Sequence, residues 1–180
     1  MKTFAIVNSD NKEIIDSIQK YFGKICPIIS YEDNFDNYDL IVLTGYEVEC
    51  KASERAQIIN LHPSLLPSFQ GRDAIKQTFL SEVKVGGITI HKVEKNNFYG
   101  KIIAQYPVLI GLTTNFYDYT KEVEVVAKRL YPVVIDSIVN DKVFDFPELF
   151  KTSCASTKGS CSSSSCSNCS NCSRCSAENK

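Results

Sequence analysis

The residues best suited to chemistry lie in the segment INLHPSLLPSFQGRDAI, residues 59–75, which holds one of the chain's two histidines. Asn60 and His62 stand two positions apart, so along an extended strand end they face one side while Leu61 faces the other. Pro63 restricts His62 to extended conformations. An amide N–H and an imidazole aimed at one oxygen can stabilise an oxyanion. The alternative is a hydrogen-bonded histidine at a strand end, with no role in catalysis.

A second set of candidate ligands lies in the last thirty residues, 151–180, which contain eleven serines and six cysteines. The repeat CSNCSNCSRC spaces four thiols by three residues, and thiolates at this spacing can bind Zn²⁺, Cu⁺ or an iron–sulfur cluster. Serine and asparagine between the cysteines would not shield a cluster, so a solvated tail with modified, redox-active or silent thiols is the alternative. The predicted metal ligands are Cys166, Cys169, Cys172 and Cys175.

Apolar runs and helical patterns around these residues predict an α/β layer architecture. The run YDLIVL is typical of a strand buried on both faces of a parallel sheet. The predicted strands are KTFAIVNSD, ICPIISYED, YDLIVLTGY, VGGITIHKVE and KIIAQYPVLIG, the last two joined by the loop or hairpin KNNFYG. The predicted helices are NKEIIDSIQKYF, RDAIKQTFLSE and YTKEVEVVAKRLYPVVIDSIVND.

The last of these helices carries an apolar stripe that we expect to cover the sheet. Pro132 should start a new segment or kink the helix, because it lacks an amide hydrogen. The stripe consists of Val123, Val126, Leu130, Val133, Val134 and Ile138.

Composition excludes some partners and divides the chain. The net charge of −1 gives no signal for nucleic acid or for an anionic membrane. No apolar stretch is long enough to span a bilayer and the N-terminus lacks a signal-peptide core, so a cytoplasmic location is expected. The cysteine-rich stretch cannot form a core. We therefore predict a folded domain at 1–150 and a disordered, low-complexity tail at 151–180.

Four segments, INLHPSLLPSFQGRDAI, GGITIHKVE, GKIIAQYPV and RLYPVVIDSI, resemble in this order the folate-dependent formyltransferases. That family includes glycinamide ribonucleotide, methionyl-tRNA and nucleotide-sugar amine formyltransferases. The resemblance covers residues 1–147, with a compressed N-terminal half. It implies a Rossmann-like open, mostly parallel sheet with flanking helices and a ligand near the carboxyl ends of the strands.

The resemblance also implies an activity, the transfer of a formyl group from 10-formyltetrahydrofolate to an amine of a small molecule. Negative charge then develops on the formyl oxygen, and the residues that match the family's catalytic pair are Asn60 and His62. The folate ring would bind mainly to backbone groups after the third strand and in the later loop, although a plain strand-to-loop exit is the alternative. The matching positions are Thr44, Gly45, Tyr46, Val48, Asn97 and Phe98.

The chain departs from the family at positions that contact the substrate. The family's third catalytic residue is an aspartate, and Phe98 stands in its place, which should impair turnover unless a carboxylate such as Glu94 substitutes. The turn VNSDNKE lacks the glycine-rich phosphate loop of the ribonucleotide enzymes; Ser9, Asp10 and Asn11 are expected to cap the helix instead. Ala127 replaces a glutamate that contacts their substrate.

The sequence is compatible with three functions. The first is a formyltransferase with weak or lost activity. The second is an inactive module that binds a folate or another small ligand, with a metal-binding tail. The third is a thiol-rich metal carrier for which the domain is only a soluble support. His91 is interpreted as a packed strand residue in each of them.

Overall fold

The computed structural model describes residues 2–9, 11–23, 26–45, 53–95 and 98–143. Strands and helices alternate along most of this length, and a hairpin followed by a long helix ends it. The described strands are β1 (Phe4–Val7), β2 (Ile28–Ile29), β3 (Leu40–Leu43), β4 (Gln57–His62), β5 (Val85–Val93) and β6 (Ile102–Leu109). The described helices are α1 (Lys12–Phe22), α2 (Ala74–Leu80) and α3 (Phe116–Val139), with one 3-10 turn at Phe35–Asn37.

These strands form one mixed sheet in the order β2–β1–β3–β4–β5–β6. The strands from β2 to β4 are parallel, whereas β5 is antiparallel to both β4 and β6. Register places Leu43 beside Asn60, and Asn60 beside His91. The predicted α/β fold with a mostly parallel sheet is confirmed, and both histidines lie where its parallel and antiparallel parts meet.

Helices α1 and α3 cover one face of the sheet. The Phe4 ring of β1 packs on Phe22 of α1, with centroids 5.0 Å apart. At the other end, Gly86 of β5 lies directly under the hydroxyl of Tyr119 in α3. Tyr131 of α3 is fully buried, and its hydroxyl donates to the carbonyl of Leu43 at 2.7 Å. This bond fixes the carboxyl end of β3, next to Asn60.

The opposite face carries an apolar cluster that ends at polar residues. Phe35 and Ala56 pack over the side chains of β1, β3 and β4, including Ile41 and Ile58. Strand alternation puts Asn60 and His62 on this same face, beyond Ile58. The polar site therefore continues a hydrophobic layer, so its residues are desolvated from one side.

Helix α3 differs from its prediction in two respects. It runs unbroken through Pro132, because the buried side chains on either side of the proline keep the helix against the sheet and outweigh one missing backbone bond. The buried stripe is also rotated: Val126, Val133 and Ile138 are only half-buried. The residues buried on α3 are Tyr119, Val123, Ala127, Leu130, Tyr131, Pro132, Val134, Ile135 and Val139.

Some predictions concern residues beyond this part of the chain. The boundary near residue 150, the tail at 151–180 and its cysteine ligands lie outside the described residues. Within the described ranges, none of the helices has the length and apolar character needed to cross a bilayer.

Candidate functional site

The site begins at the last residues of β4, where Asn60 and His62 are both fully buried. Leu61 between them is buried on the helix-covered face, as the alternation predicted. On the neighbouring strand β5, His91 lies opposite Asn60 and Thr89 lies opposite His62. Two imidazoles, an amide and a hydroxyl thus share one small area of the sheet.

The ring of His62 is oriented by the backbone that follows it. Its Nε2 atom lies 2.9 Å from the carbonyl oxygen of Phe69, and since a carbonyl only accepts, Nε2 carries the hydrogen. In the neutral ring Nδ1 is then the basic nitrogen. Phe69 has a positive φ of 54°, a conformation uncommon outside glycine, asparagine and aspartate. The chain therefore folds back over its own histidine.

Asn60 is held by the second histidine. Nδ1 of His91 lies 3.0 Å from the carbonyl of Lys92, which places the hydrogen on Nδ1 and leaves Nε2 as an acceptor. The Nδ2 group of Asn60 donates to this Nε2 at 3.5 Å, a long and weak bond. The other amide atom, Oδ1, is buried and has no hydrogen-bond partner among the described residues. A buried acceptor of this kind is rare in native proteins, and its missing partner requires an explanation.

A hydroxyl network supports the loop after β4. Thr89 Oγ1 donates to the Ser64 carbonyl at 2.7 Å and accepts from the Leu66 amide at 3.0 Å. Gln105 Nε2 of β6 donates to Thr89 Oγ1 and to the Leu66 carbonyl, both at 2.9 Å. Strands β5 and β6 therefore fix the loop that contacts His62, and a buried network satisfied in this way favours one rigid geometry.

Two aromatic residues of the β5–β6 loop lie over the imidazoles. Tyr99 packs on His62 and His91, with ring centroids 5.3 Å and 5.5 Å apart. Phe98 meets His91 edge-on at 5.7 Å and Tyr99 at 5.1 Å. The Tyr99 hydroxyl also accepts from the amide of Gly71 at 2.7 Å. The position that matches the family's aspartate is thus part of an aromatic cover.

The predicted folate contacts are only partly described. Thr44 is buried, and its hydroxyl is engaged by the Val7 carbonyl at 3.2 Å and by Ser9 Oγ at 2.6 Å. Gly45 follows β3 at the same edge of the sheet as Asn60. The expected folate contacts of this segment, mainly through backbone groups, stay a prediction. Tyr46, Val48 and Asn97 lie outside the described residues.

Three other sequence expectations concern departures from the family. Glu94 is exposed, and its carboxyl carbon lies 2.9 Å from where a β-carbon of Gly100 would stand, so the carboxylate is turned towards that glycine. Ala127 is fully buried on α3, in the helix–sheet interface. Asn11 is the N-cap of α1 but makes no side-chain cap bond.

In the described ranges, no group of three or more histidine, cysteine, aspartate or glutamate side chains is arranged to hold a metal ion.

Sequence reasoning missed the residues that complete the site. Sequence reasoning gave His91 a packing role. The ring is buried as expected, but its Nε2 also accepts the long hydrogen bond from Asn60. The same reasoning passed over Tyr99, Thr89 and Gln105 altogether. A signal was present, because a histidine on one strand of a predicted hairpin and an aromatic residue in its loop are close in space whatever the register.

The stability of the fold should fall as pH decreases below neutrality, because of His91. Burial lowers the pKa of His91 below its usual value, and a charge on His62 would lower that pKa further. The unfolded chain therefore binds this proton first, at about pH 6.5. The free energy of unfolding should decline between that pH and the lower folded-state pKa, by at most about 1.4 kcal/mol per pH unit.

Urea unfolding of the native chain and His91→Gln, from pH 8 to pH 5, measures this effect. Glutamine can still bond to Asn60 but does not titrate, so the stability difference between the two proteins should change through the window. A difference that stays constant across these pH values would contradict the assignment.

Comparisons with known proteins agree with this geometry. The family described as formyl transferase matches residues 33–135, more than half of the 180-residue chain. The chain is 40% identical over 83 residues to a phosphoribosylglycinamide formyltransferase of Bacillus subtilis, across 46% of this chain and 43% of that protein. It is 31% identical over 104 residues to a methionyl-tRNA formyltransferase of Anaplasma phagocytophilum, across 56% of this chain and 35% of that protein.

A solved structure extends the likeness to the fold. The phosphoribosylglycinamide formyltransferase of Bacillus halodurans superposes with a TM-score of 0.63 at 26% identity, covering 76% of this chain and 95% of that one. The sequence matches, in contrast, span less than half the length of the two curated relatives. The family match, the sheet order and the Asn60–His62 strand end agree, and the chain belongs to the formyl transferase family.

Proposed function

We propose that this chain binds 10-formyltetrahydrofolate and transfers its formyl group to the amine of a small molecule. The observation that carries the proposal is the buried Oδ1 of Asn60, which has no hydrogen-bond partner among the described residues although the nearby hydroxyl of Thr89 is fully engaged by Ser64 and Gln105. An acceptor in that position fits a ligand that brings an N–H donor, and an attacking amine is such a ligand.

Asn60 has two functions in this proposal. One hydrogen of its Nδ2 is directed at His91 in a long hydrogen bond, which favours one orientation of the amide. The remaining hydrogen can donate to the formyl oxygen, where negative charge develops, while Oδ1 accepts from the amine. The folate supplies the formyl group; the protein orients both reactants and excludes water from them.

His62 accepts the proton that the amine loses as its nitrogen bonds to the formyl carbon. The bond from that carbon to the folate nitrogen breaks, and tetrahydrofolate leaves with a proton on that nitrogen. Its Nε2–H is engaged by the Phe69 carbonyl, so the nitrogen that can accept a proton is Nδ1. In relatives a carboxylate assists this step, whereas Phe98 contributes only a ring that packs against His91. We therefore propose a slow enzyme rather than a fast one, since a positioned acid–base group contributes about 10²–10⁴ in rate.

The aromatic cover favours a second candidate function, folate binding without transfer. Rings of Phe98 and Tyr99 occupy the space next to both imidazoles, where a proton-transfer group would otherwise stand. A scaffold of this kind could bind the folate through backbone groups and sense it. The two candidates differ in turnover, not in ligand.

Measuring folate binding and formyl transfer on the same protein separates them. Binding is followed by isothermal titration with 10-formyltetrahydrofolate, and transfer by the absorbance change on release of tetrahydrofolate, with a panel of small primary amines. Asn60→Ala should lower the transfer rate by about 10²–10³, the usual effect of losing one oxyanion donor. Gln19→Ala, which removes a half-buried amide from α1, is the matched control and should leave the rate unchanged.

Each result has a clear consequence. Transfer that Asn60→Ala abolishes while the variant stays folded by circular dichroism supports the enzyme. Folate binding without transfer to any amine supports the second candidate. Absence of binding would rule out both.

A further inference from the structure

We infer that Tyr99 is a positioning residue that orients His62 by packing and by one hydrogen bond, in a site where the carboxylate of relatives is missing. Its ring meets the His62 ring at 5.3 Å with an interplanar angle of 75°, an edge-to-face contact. Its hydroxyl accepts from the amide of Gly71 at 2.7 Å. No other side chain among the described residues contacts both imidazoles by its ring and the loop after β4 by its hydroxyl.

These contacts form a closed ring of interactions that begins and ends at His62. The imidazole donates from Nε2 to the Phe69 carbonyl, two residues before Gly71. Gly71 donates to the Tyr99 hydroxyl, and the Tyr99 ring returns to the imidazole. The loop holds the ring from one edge and the tyrosine holds it from another, so rotation of the imidazole must break either a bond or an aromatic contact.

The backbone of this loop is strained, so it needs hydrogen bonds that hold it in place. Phe69 and Gly71 both have positive φ, 54° and 90°, and a phenylalanine in that region is strained. Ser64 supplies one anchor, since its hydroxyl donates to the Ser68 carbonyl at 2.6 Å. Tyr99 supplies an anchor on the other side of Phe69 and reaches it from a segment 28 residues further along the chain. Ser64 Oγ also lies 3.3 Å from the Phe69 carbonyl, so the serine and the tyrosine together hold the segment whose carbonyl selects the tautomer of His62.

Two variants separate the hydroxyl from the ring. Tyr99→Phe keeps the ring and deletes the acceptor of the Gly71 amide, whereas Tyr99→Leu deletes both. Tyr117→Leu is the matched control, because Tyr117 is exposed on α3 and makes no described contact with either histidine.

Long-range proton–nitrogen spectra of the imidazoles provide the readout, since the chain contains only two histidines. In the native protein the nitrogen shifts of His62 should report hydrogen on Nε2. Tyr99→Leu should move the His62 ring protons, as the ring current is lost, and should lower the Nε2–H population. Tyr99→Phe should leave the ring-proton shifts near native but speed hydrogen exchange of the Gly71 amide, by roughly two- to tenfold for one neutral hydrogen bond. Tyr117→Leu should change neither.

Unchanged His62 shifts and an unchanged tautomer in a folded Tyr99→Leu protein would overturn the inference. If that variant does not fold, Tyr99→Phe still tests the inference. A hydrogen-exchange rate at the Gly71 amide equal to that of the native protein would overturn it. The catalytic consequence rests on the proposed function, and it predicts that Tyr99→Phe lowers kcat while the Kd for 10-formyltetrahydrofolate stays the same. The spectra require no turnover, so absence of transfer would refute the proposed function and leave the positioning role to be judged by the histidine signals alone.

Discussion

Replacing Phe98 with aspartate is expected to raise the rate of formyl transfer by about 10², the lower end of what a positioned acid–base group contributes. Phe98 is half-buried, and its ring lies 5.7 Å from the ring of His91. A carboxylate there would lie beside the imidazole of His91 and favour its charged form, because an opposite charge at short range raises a histidine pKa. The effect opposes the lowering of the His91 pKa by burial.

The control for this change is Phe98→Asn, which has the size of aspartate but neither its charge nor its proton chemistry. Both variants lose the edge-on contacts with His91 and Tyr99, so both should be destabilised by a similar amount. Single-turnover rates at saturating 10-formyltetrahydrofolate distinguish them. Equal rates for aspartate and asparagine would mean that a missing carboxylate does not limit this protein.

The extended strand end at Asn60 and His62 was predictable because it depends on local rules. Alternation along a strand fixes which side chains share a face, and proline after a histidine restricts its backbone. The burial of Leu40–Leu43 was predictable for a similar reason, since a continuous apolar run in a parallel sheet has no exposed face. In both cases neighbours in sequence determine the outcome.

The pairing of Asn60 with His91 was not predictable, because it depends on register across two strands. Asn60 and His91 lie opposite each other because of the antiparallel register of β4 with β5. Shifting a strand by one residue moves every side chain to the other face, so a periodicity argument cannot tell which histidine atom meets the amide. The bond between Tyr99 and Gly71 joins two loops, and no periodic pattern encodes such a contact.

The rotated face of α3 has a specific cause. Tyr131 is not among the residues of the predicted stripe, but its hydroxyl donates to the Leu43 carbonyl and the ring is fully buried. A tyrosine with a hydrogen-bond partner is a core residue, and including it with Ala127 and Ile135 moves the stripe by about one residue. The partner is a backbone atom of a distant strand, which only the fold reveals.

The largest effect on stability should come from Gly86→Ala in β5. A β-carbon at Gly86 would lie 1.9 Å from the hydroxyl oxygen of Tyr119 and 2.8 Å from a methyl carbon of Thr78. Real contacts are never so close, so the helix-covered face must shift, and overpacking of this kind costs about 1–3 kcal/mol. For a domain of this size that lowers Tm by roughly 2–4 °C per kcal/mol. Strand β5 carries Thr89 and His91, so folate binding should weaken together with stability.

A second substitution tests the cause. The hydroxyl of Tyr119 is buried and has no hydrogen bond of acceptable geometry among the described residues, so Tyr119→Phe alone should be neutral or slightly stabilising. Combined with Gly86→Ala it removes the closest clash and leaves the ring carbon at 2.8 Å, so about half of the lost stability should return. Gly111→Ala, in an exposed turn where a β-carbon would lie 3.2 Å from the Thr114 hydroxyl oxygen, is the milder control and should change the free energy of unfolding by no more than about 0.5 kcal/mol. Strictly additive effects of the two substitutions in urea unfolding would show that Tyr119 is not what requires glycine at this position.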